Sequence, residues 1–336
     1  MVKGYITTNL GENSRPSQSK GKQATTLSVV TPTLKRPEEV RDLLKNLATQ
    51  TFMPSEVILV DGIPDAESET ERIVSQMRVD LPFRVKFIRR GGGTAIQRNI
   101  GIDVATGDHI ALIDDDVRLE PQFFEEMVNV LMESSNTDVG GVVGFRTNCH
   151  FELERSPRWR WYRRLGLLSI FEPGRYDFEC GYPINASLQP PFTGVRAVDI
   201  MTTACAVWRR EVFDSGLRFD EFFRDFGVLE DAHFALRARQ TWRLLQCGDA
   251  HCVELHSPNG REDRTKIGFK SVVNYYYVFR DISGPLSLLQ KFRFWRFQAF
   301  EAIRIMSSAF RRMNGSDIAD LRGRAQGVWK ILTSAF

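Results

Sequence analysis

No segment of this 336-residue chain approaches the roughly 18–20 consecutive apolar residues that a bilayer span requires, so no membrane-crossing helix is expected. The start, "MVKGYITTNLGENSRPSQSKGKQ", has no apolar core of a secretory signal. It is polar and rich in Gly, Ser and Lys, and residues 1–24 are expected to form a flexible tail. Cysteine is scarce and odd in number, five in all, which points to free thiols in a reducing, cytoplasmic setting rather than a disulfide framework. Charge of one sign is lacking too. The 45 Lys and Arg nearly balance 42 Asp and Glu, and a net +3 is too mild to argue for a nucleic-acid partner. What is present, 42% hydrophobic and 26% charged residues, is globular composition, long enough for one large α/β domain with an extension, or for two domains.

Along the chain, "TLSVVTPTLKR" opens with a β-type run that breaks at Pro32. Val40, Leu43, Leu44 and Leu47 then recur at i, i+3, i+4, i+7, the stripe of an amphipathic helix, with Pro37 suited to its first turn. "EVILVDG" is a short buried strand ending on Asp61. A helix follows from about 67 to 77, then a strand, "RVKFIRR", from Arg84. "GGGTAIQRNIGIDVATGD" is a glycine loop feeding a helix closed by Gly107, and "HIALID" is a fourth strand. "QFFEEMVNVLME" is again helical. Strands alternating with helices imply crossover units, a mostly parallel sheet and helices on both faces. Ligands in such sheets bind beyond the carboxyl ends of the strands, where Asp61 and Asp114 fall.

Residues 149–200 show no clean period and are expected to form long loops that shape a pocket. "DIMTTACAVWRREVFDSG" restores a strand and short helix, and Glu230 and Asp231 open another helix. "CGDAHCVELH" brings Cys247, His251, Cys252 and His256 together in sequence. The spacing fits no common zinc pattern, and a strand there would send neighbours to opposite faces. In the last seventy residues, "SLLQKFRFWRFQAFEAIRIMSSAFRRM" is helical by period. Leu288, Phe292, Trp295, Ala299, Ile303, Met306 and Phe310 share one broad face, and Lys291, Arg293, Arg296, Arg304, Arg311 and Arg312 stand against one acid, Glu301. A basic amphipathic helix suits either a membrane interface or packing on the rest of the chain with an arginine-rich solvent face.

The densest signal is "HIALIDDDVRLEP". Three adjacent aspartates, Asp114 to Asp116, repel one another at the end of an apolar strand. One would suffice for a helix cap; three suit a divalent cation, and Mg²⁺ and Mn²⁺ prefer such oxygens while leaving positions for water and phosphate. Phosphatases of the haloacid dehalogenase type also place Asp-x-Asp after a strand. They do so on the first strand and with Thr or Val two residues on, where this chain has Arg118.

"VVTPTLKRPEEVRDLLKNLATQT", "EVILVDG", "GGGTAIQRNIGIDVATGDHIALIDDDVRLEP" and "LEDAHFALRARQTW", taken in order, resemble the family 2 glycosyltransferases of the GT-A fold. The resemblance runs from about Thr25 to His256. It implies an α/β fold with a Rossmann-like, mostly parallel central sheet flanked by helices and a C-terminal helical extension. Residues 25–265 would be the transferase domain, 25–148 the nucleotide-binding half and 149–265 the acceptor half, with 266–336 a helical basic and aromatic extension. By that resemblance Thr31, Pro32 and Thr33 look like the loop lying against the nucleotide. Asp61 matches the acid that accepts a hydrogen bond from the base, and Arg98 the arginine reaching toward nucleotide and acidic motif. Asp114 would face the ribose, Asp115 be the variable middle residue, and Asp116 ligate Mg²⁺ or Mn²⁺. Glu230 and Asp231 match the Glu-Asp pair, Asp231 as catalytic base with Glu230 in support, and His256 falls where relatives complete the metal shell.

Two positions depart from the pattern. His233 stands where relatives often carry another acid, and Thr241 where they commonly have Gly, which touches the acceptor side more than the donor side. The Gln-x-x-Arg-Trp motif of processive synthases is absent, so single addition is expected. The implied activity is inverting, metal-dependent transfer from a nucleotide-diphosphate sugar to a glycan or lipid-linked acceptor. It would take place in the cytoplasm, or on the cytoplasmic membrane face through the C-terminal helix. Two other classes remain: a sugar nucleotidyltransferase, although "TPTLKRPEE" lacks the glycines expected after its first strand, and a non-catalytic binding relative.

Overall fold

The computed structural model describes residues 25–63, 68–149, 156–224, 227–256, 263–312 and 315–333. The tail expected over residues 1–24 lies outside them. The first apolar run forms β1 (Leu27–Thr33), buried throughout, and leads into α1 (Pro37–Leu47), which buries the four residues of its apolar stripe. β2 (Glu56–Asp61), α2 (Glu69–Met77), β3 (Arg84–Arg89), α3 (Thr94–Val104) and β4 (His109–Ile113) continue the alternation. β5 (Val117–Leu119), α4 (Phe123–Met132) and β6 (Val139–Arg146) complete the first half.

Two local expectations are corrected. β1 does not break at Pro32; it continues through Thr33, in parallel register with Val60 and Asp61 of β2. Its pairing with β4 ends at Val30, so beyond that point β1 has one strand partner and tolerates a residue without an N–H. Thr31, Pro32 and Thr33 therefore sit in the strand rather than in the loop after it. α3 ends at Val104, before Gly107. A Cβ at Gly107 would meet Ser28 N at 2.7 Å, so the glycine lets this turn pass close against β1.

Residues 149–200 hold more order than their sequence suggests. They contain α5 (Pro157–Arg164), the hairpin strands β7 (Tyr176–Asp177) and β8 (Tyr182–Pro183), and β9 (Val195–Val198). α5 carries four arginines, and its only buried residues are Trp159 and Tyr162, at i, i+3 spacing. β10 (Cys205–Arg209), α6 (Arg210–Asp214), α7 (Glu230–Ala238) and β11 (Arg243–Glu254) follow, then α8 (Arg264–Ser283), α9 (Leu288–Arg312) and α10 (Gly315–Thr333).

Among the described residues the main sheet has nine strands, in the order β3-β2-β1-β4-β10-β6-β11-β5, with β9 joined to β11. β3, β2, β1 and β4 run parallel, as do β6 and β11; β10, β5 and β9 join antiparallel. The mixed α/β fold with its mostly parallel sheet and C-terminal helices agrees with expectation. At the opposite end of the strands from Asp61, buried Glu56 ties three segments together. It accepts from Ser28 Oγ, from Thr106 N and Oγ1 (each 2.7 Å) and pairs with Lys86 at 2.9 Å. Burial alone would raise its carboxyl, but these donors hold it down at about 2.

A second apolar cluster joins Trp159, Tyr162, Leu167, Leu168 and Ile184 to Phe297 of α9. At its edge, buried Glu301 accepts from Tyr162 Oη (2.6 Å), Arg158 (2.9 Å) and Arg304 (2.9 Å), so the charge is fully compensated. α10 lies on α8 so closely that a Cβ on Gly323 would overlap the Thr265 carbonyl. α9 turns Phe294, Phe297, Ile305 and Ala309 inward. Much of the broad apolar face seen in its sequence points to water instead: Leu288 is 85%, Phe292 61% and Phe310 79% exposed. A helix this long carries two apolar stripes, and only one finds a partner among the described residues.

Candidate active site

Three parallel strands deliver their carboxyl ends to one edge of the sheet. Thr33 and Asp61 are the last residues of β1 and β2, and Asp114 is the first after β4. The aspartate triplet forms the turn between β4 and β5. Asp114 N–H donates to Ala204 O (3.2 Å), and Val117 N–H donates to Asp114 O (3.3 Å). The turn fans the side chains apart. Asp114 meets Arg98 at 2.8 Å. Asp115 accepts from Thr33 Oγ1 (2.7 Å) and Arg36 (2.6 Å), and the same Arg36 nitrogen lies 3.4 Å from Asp116. Burial pushes the Asp115 carboxyl up to about 6, against the pull of Arg36 and the Thr33 hydroxyl. Two arginines thus answer the repulsion that the sequence raises.

Arg98 is the hinge of the site. It is buried on α3, donates to Asp114 on one side and to Glu230 Oε1 on the other (3.3 Å), and lies over the Phe219 ring at 5.7 Å. Burial alone would lower its pKa; the Asp114 and Glu230 carboxylates outweigh that and raise it. Thr94 Oγ1 donates to the same Glu230 oxygen at 3.3 Å. Glu230 and Asp231 occupy the first turn of α7, where the helix dipole favours acids. The preceding Leu229 adopts φ +74°, and a Cβ on Gly227 would overlap the Glu230 carboxyl, so this entry is sterically set. Asp231 sits partly open to solvent, beside Glu230. Desolvation and the neighbouring Glu230 charge push its carboxyl up to about 7.

The remaining candidates lie around this group. Asp61 is fully buried and accepts from Ile63 N (3.0 Å) and from Ser68 Oγ. Thr31 Oγ1 is buried in β1 without a hydrogen-bond partner. His256, at φ +53°, follows β11; Leu255 N–H donates to Asp116 O (2.8 Å), so His256 is one residue from the backbone contact with the triplet. Its ring meets Glu254 at 3.0 Å and Cys149 at 3.6 Å. His233 is buried between α7 and α8, with Nε2 2.8 Å from Asp281, and burial lowers its pKa against that carboxylate. Cys247 and Cys252 are buried in the core while His251 meets Glu120 at 3.3 Å, so "CGDAHCVELH" makes no metal cluster of its own.

Sequence reasoning does not reach Arg36 or Thr94. Arg36 stands 79 positions from Asp115, and "LKRPEE" carries no local sign that its side chain returns to the end of β4. The three aspartates offer only carboxylate oxygen, but they do not converge as a group of three ligands: Asp114 turns to Arg98, and Asp115 and Asp116 turn to Arg36. Their oxygen chemistry fits a hard divalent cation such as Mg²⁺ or Mn²⁺.

The architecture is that of the GT-A transferases. Aligned over 90% of this chain and 87% of its own, the mannosyltransferase PcManGT of Pyrobaculum calidifontis, solved with GDP-Man and Mn²⁺, superposes with a TM-score of 0.54 at 16% identity. The family model for glycosyl transferase family 2 matches residues 28–215. The glycosyltransferase YwdF of Bacillus subtilis is 35% identical over 244 residues, 73% of this chain and 79% of that protein. This chain therefore belongs to glycosyl transferase family 2. Other relatives align over less. A Haemophilus influenzae glycosyltransferase is 32% identical over 33% of this chain and 36% of its own, and the Escherichia coli glycosyltransferase YibD is 29% identical over 32% and 30%. The alignments thus span about a third of those two proteins.

Proposed function

We propose that the protein is an inverting, divalent-cation-dependent glycosyltransferase. It adds a single sugar from a nucleoside-diphosphate donor to a hydroxyl of a glycan or lipid-linked acceptor. The observation that carries this reading is the unbroken path Asp114–Arg98–Glu230–Asp231, which couples the end of β4 to the start of α7 through one buried guanidinium. In this reading residues 25–148 hold the donor, 149–265 face the acceptor, and 266–336 form a helical extension. Asp61 takes the nucleobase, Thr31 to Thr33 line the nucleotide, Asp114 faces the ribose, and Asp115 orders the turn through Thr33 and Arg36. Asp116, with His256, would hold Mg²⁺ or Mn²⁺, which when bound neutralises charge on the diphosphate. Asp231 accepts the proton of the acceptor hydroxyl as its oxygen attacks the anomeric carbon from the face opposite the diphosphate. Glu230, pinned by Arg98 and Thr94, positions that base. The carboxylate needs no covalent intermediate, so the anomeric centre inverts.

The deciding experiment is a panel of nucleotide sugars incubated with Mn²⁺, with and without acceptor extract. Turnover of one donor is expected; no turnover of any would sink the reading, and nucleotide exchange without sugar transfer would favour a nucleotidyltransferase. On the productive donor, pH dependence follows from Asp231. The base works ionised, and burial with Glu230 raises its pKa to about 7. The value of kcat/KM is therefore expected to rise with pH, by about tenfold per unit well below that pKa, and to level above it. A flat profile between pH 5 and 8 would show that the base is another group.

The exposed stripe of α9 supports peripheral attachment to the cytoplasmic face of a membrane. Leu288, Phe292, Ile303, Met306 and Phe310 face water on a helix bearing Lys291, Arg293, Arg296 and Arg311, while its one acid, Glu301, is buried. No helix among the described residues is long and apolar enough to cross a membrane. Vesicles containing anionic lipid are expected to sediment the protein, and Phe292→Glu with Phe310→Glu to release it. Equal sedimentation of both proteins would reject the attachment.

A further inference from the structure

Beyond the carboxylate cluster, one group of metal-ligating side chains of different chemistry comes together among the described residues: Cys149, Glu254 and His256, their donor atoms all within 4.8 Å of one another. Cys149 follows β6 and the other two lie at the end of β11. The turn after β6 is clamped to that strand. Thr147 N–H donates to Cys252 O (2.9 Å), Asn148 Nδ2 to Glu254 O (2.7 Å), and Glu254 N–H to Asn148 Oδ1 (3.1 Å). The segments that carry the thiol, carboxylate and imidazole are therefore held side by side by one backbone hydrogen bond and two through the Asn148 amide.

The separations approach those of a tetrahedral site, one edge falling within its range and one about 0.3 Å beyond it. Zinc bonds of about 2.3 Å to sulfur and 2.0–2.2 Å to nitrogen or oxygen imply ligand–ligand edges of roughly 3.3–3.6 Å. Cys149 Sγ lies 3.6 Å from His256 Nε2 and 3.9 Å from Glu254 Oε2. The second imidazole nitrogen, Nδ1, is 3.0 Å from Glu254 Oε1. Arg146 pairs with Glu254 and bonds Ser187 Oγ at 2.6 Å, which holds the carboxylate in place.

We propose that Cys149, Glu254 and His256 form a binding site for a borderline-soft divalent cation of the Zn²⁺ class, with a fourth position open to water. Its thiolate and imidazole set it apart in softness from the all-oxygen triplet that suits Mg²⁺ or Mn²⁺. One imidazole nitrogen serves one ion, so His256 ligates either this cation or the one held by Asp116, not both. Binding replaces the thiol proton of Cys149, which passes to solvent. The site does not need the transferase reading and its readout needs no turnover, but it takes His256 away from the Asp116 cation, which in that reading would then be held without the imidazole.

The test uses the full chain, reduced and stripped with a chelator, titrated with Zn²⁺ or Co²⁺ alone. The expected result is one tight Zn²⁺ equivalent and, with Co²⁺, the near-ultraviolet absorption of a thiolate–cobalt bond. Cys149→Ser is expected to abolish that absorption and weaken Zn²⁺ binding at least tenfold, with an unchanged melting temperature in the absence of metal. Cys149→Ala, which removes the donor without adding a hydroxyl, is expected to do the same. Cobalt bound without the thiolate absorption would overturn the proposal, since that is what binding at the carboxylate triplet alone would give. Zn²⁺ affinity unchanged in both variants would overturn it as well.

Discussion

Asp231→Asn is expected to lower kcat by about 10²–10⁴-fold, the usual contribution of a positioned general base, while the donor KM stays within about twofold. The amide keeps the shape and the first-turn position of the side chain but cannot take the proton of the acceptor hydroxyl. The edge proposed to bind the donor lies across Arg98 and is left intact, which is why the effect is expected on kcat. Steady-state transfer with Mn²⁺ and a saturating acceptor measures it. Full activity of the variant would move the base elsewhere even if the class is right. Glu230→Gln gives a useful contrast: it also loosens Arg98 and Thr94, so both kcat and donor KM are expected to change.

Arg98→Met is expected to be the most damaging single change to the site. The guanidinium is buried and bonded to Asp114 on the turn after β4 and to Glu230 on α7. Removing it leaves two carboxylates facing an apolar side chain. Breaking a buried ion pair from one side costs about 3–5 kcal/mol. The side chain of Asp114 is 32% exposed and regains water, so a loss of about 2–3 kcal/mol is expected here. Thermal denaturation should show a melting temperature several degrees lower, and transfer should be lost at temperatures where the variant is still folded. A variant as stable and active as the parent would remove the path on which the proposed mechanism rests.

Much of this architecture is legible in the order of residues alone. The strand and helix order from β1 to α4, the three-residue β5 excepted, follows from local periodicity. Asp61, the aspartate triplet and Glu230–Asp231 stand out because charge at a strand end or helix start is a local pattern. α5 is hidden because it is rich in arginine and its buried side is two residues wide, Trp159 and Tyr162. Its stability comes from the cluster with Phe297, contributed from α9. The face of α9 can be read as apolar but not as exposed. The same 25 residues offer two apolar stripes, and which one is covered depends on what α5 and α8 bring against it.

The sequence by itself determined the family, the alternation of strands and helices from β1 to β4, the lack of an apolar run long enough to cross a membrane and the places of the carboxylates along the chain, because each of these is written in neighbouring residues. Tertiary structure alone decided which partners those carboxylates have. Arg36 reaches Asp115 across 79 positions, Arg98 reaches Glu230 across 132, and Cys149 meets His256 across 107. Such encounters are set by strand order and register in the sheet, where β1 lies beside β4 and β6 beside β11. No periodicity along the chain encodes that adjacency. The charge was therefore visible in the sequence, and its compensation became visible only once the strands were placed side by side.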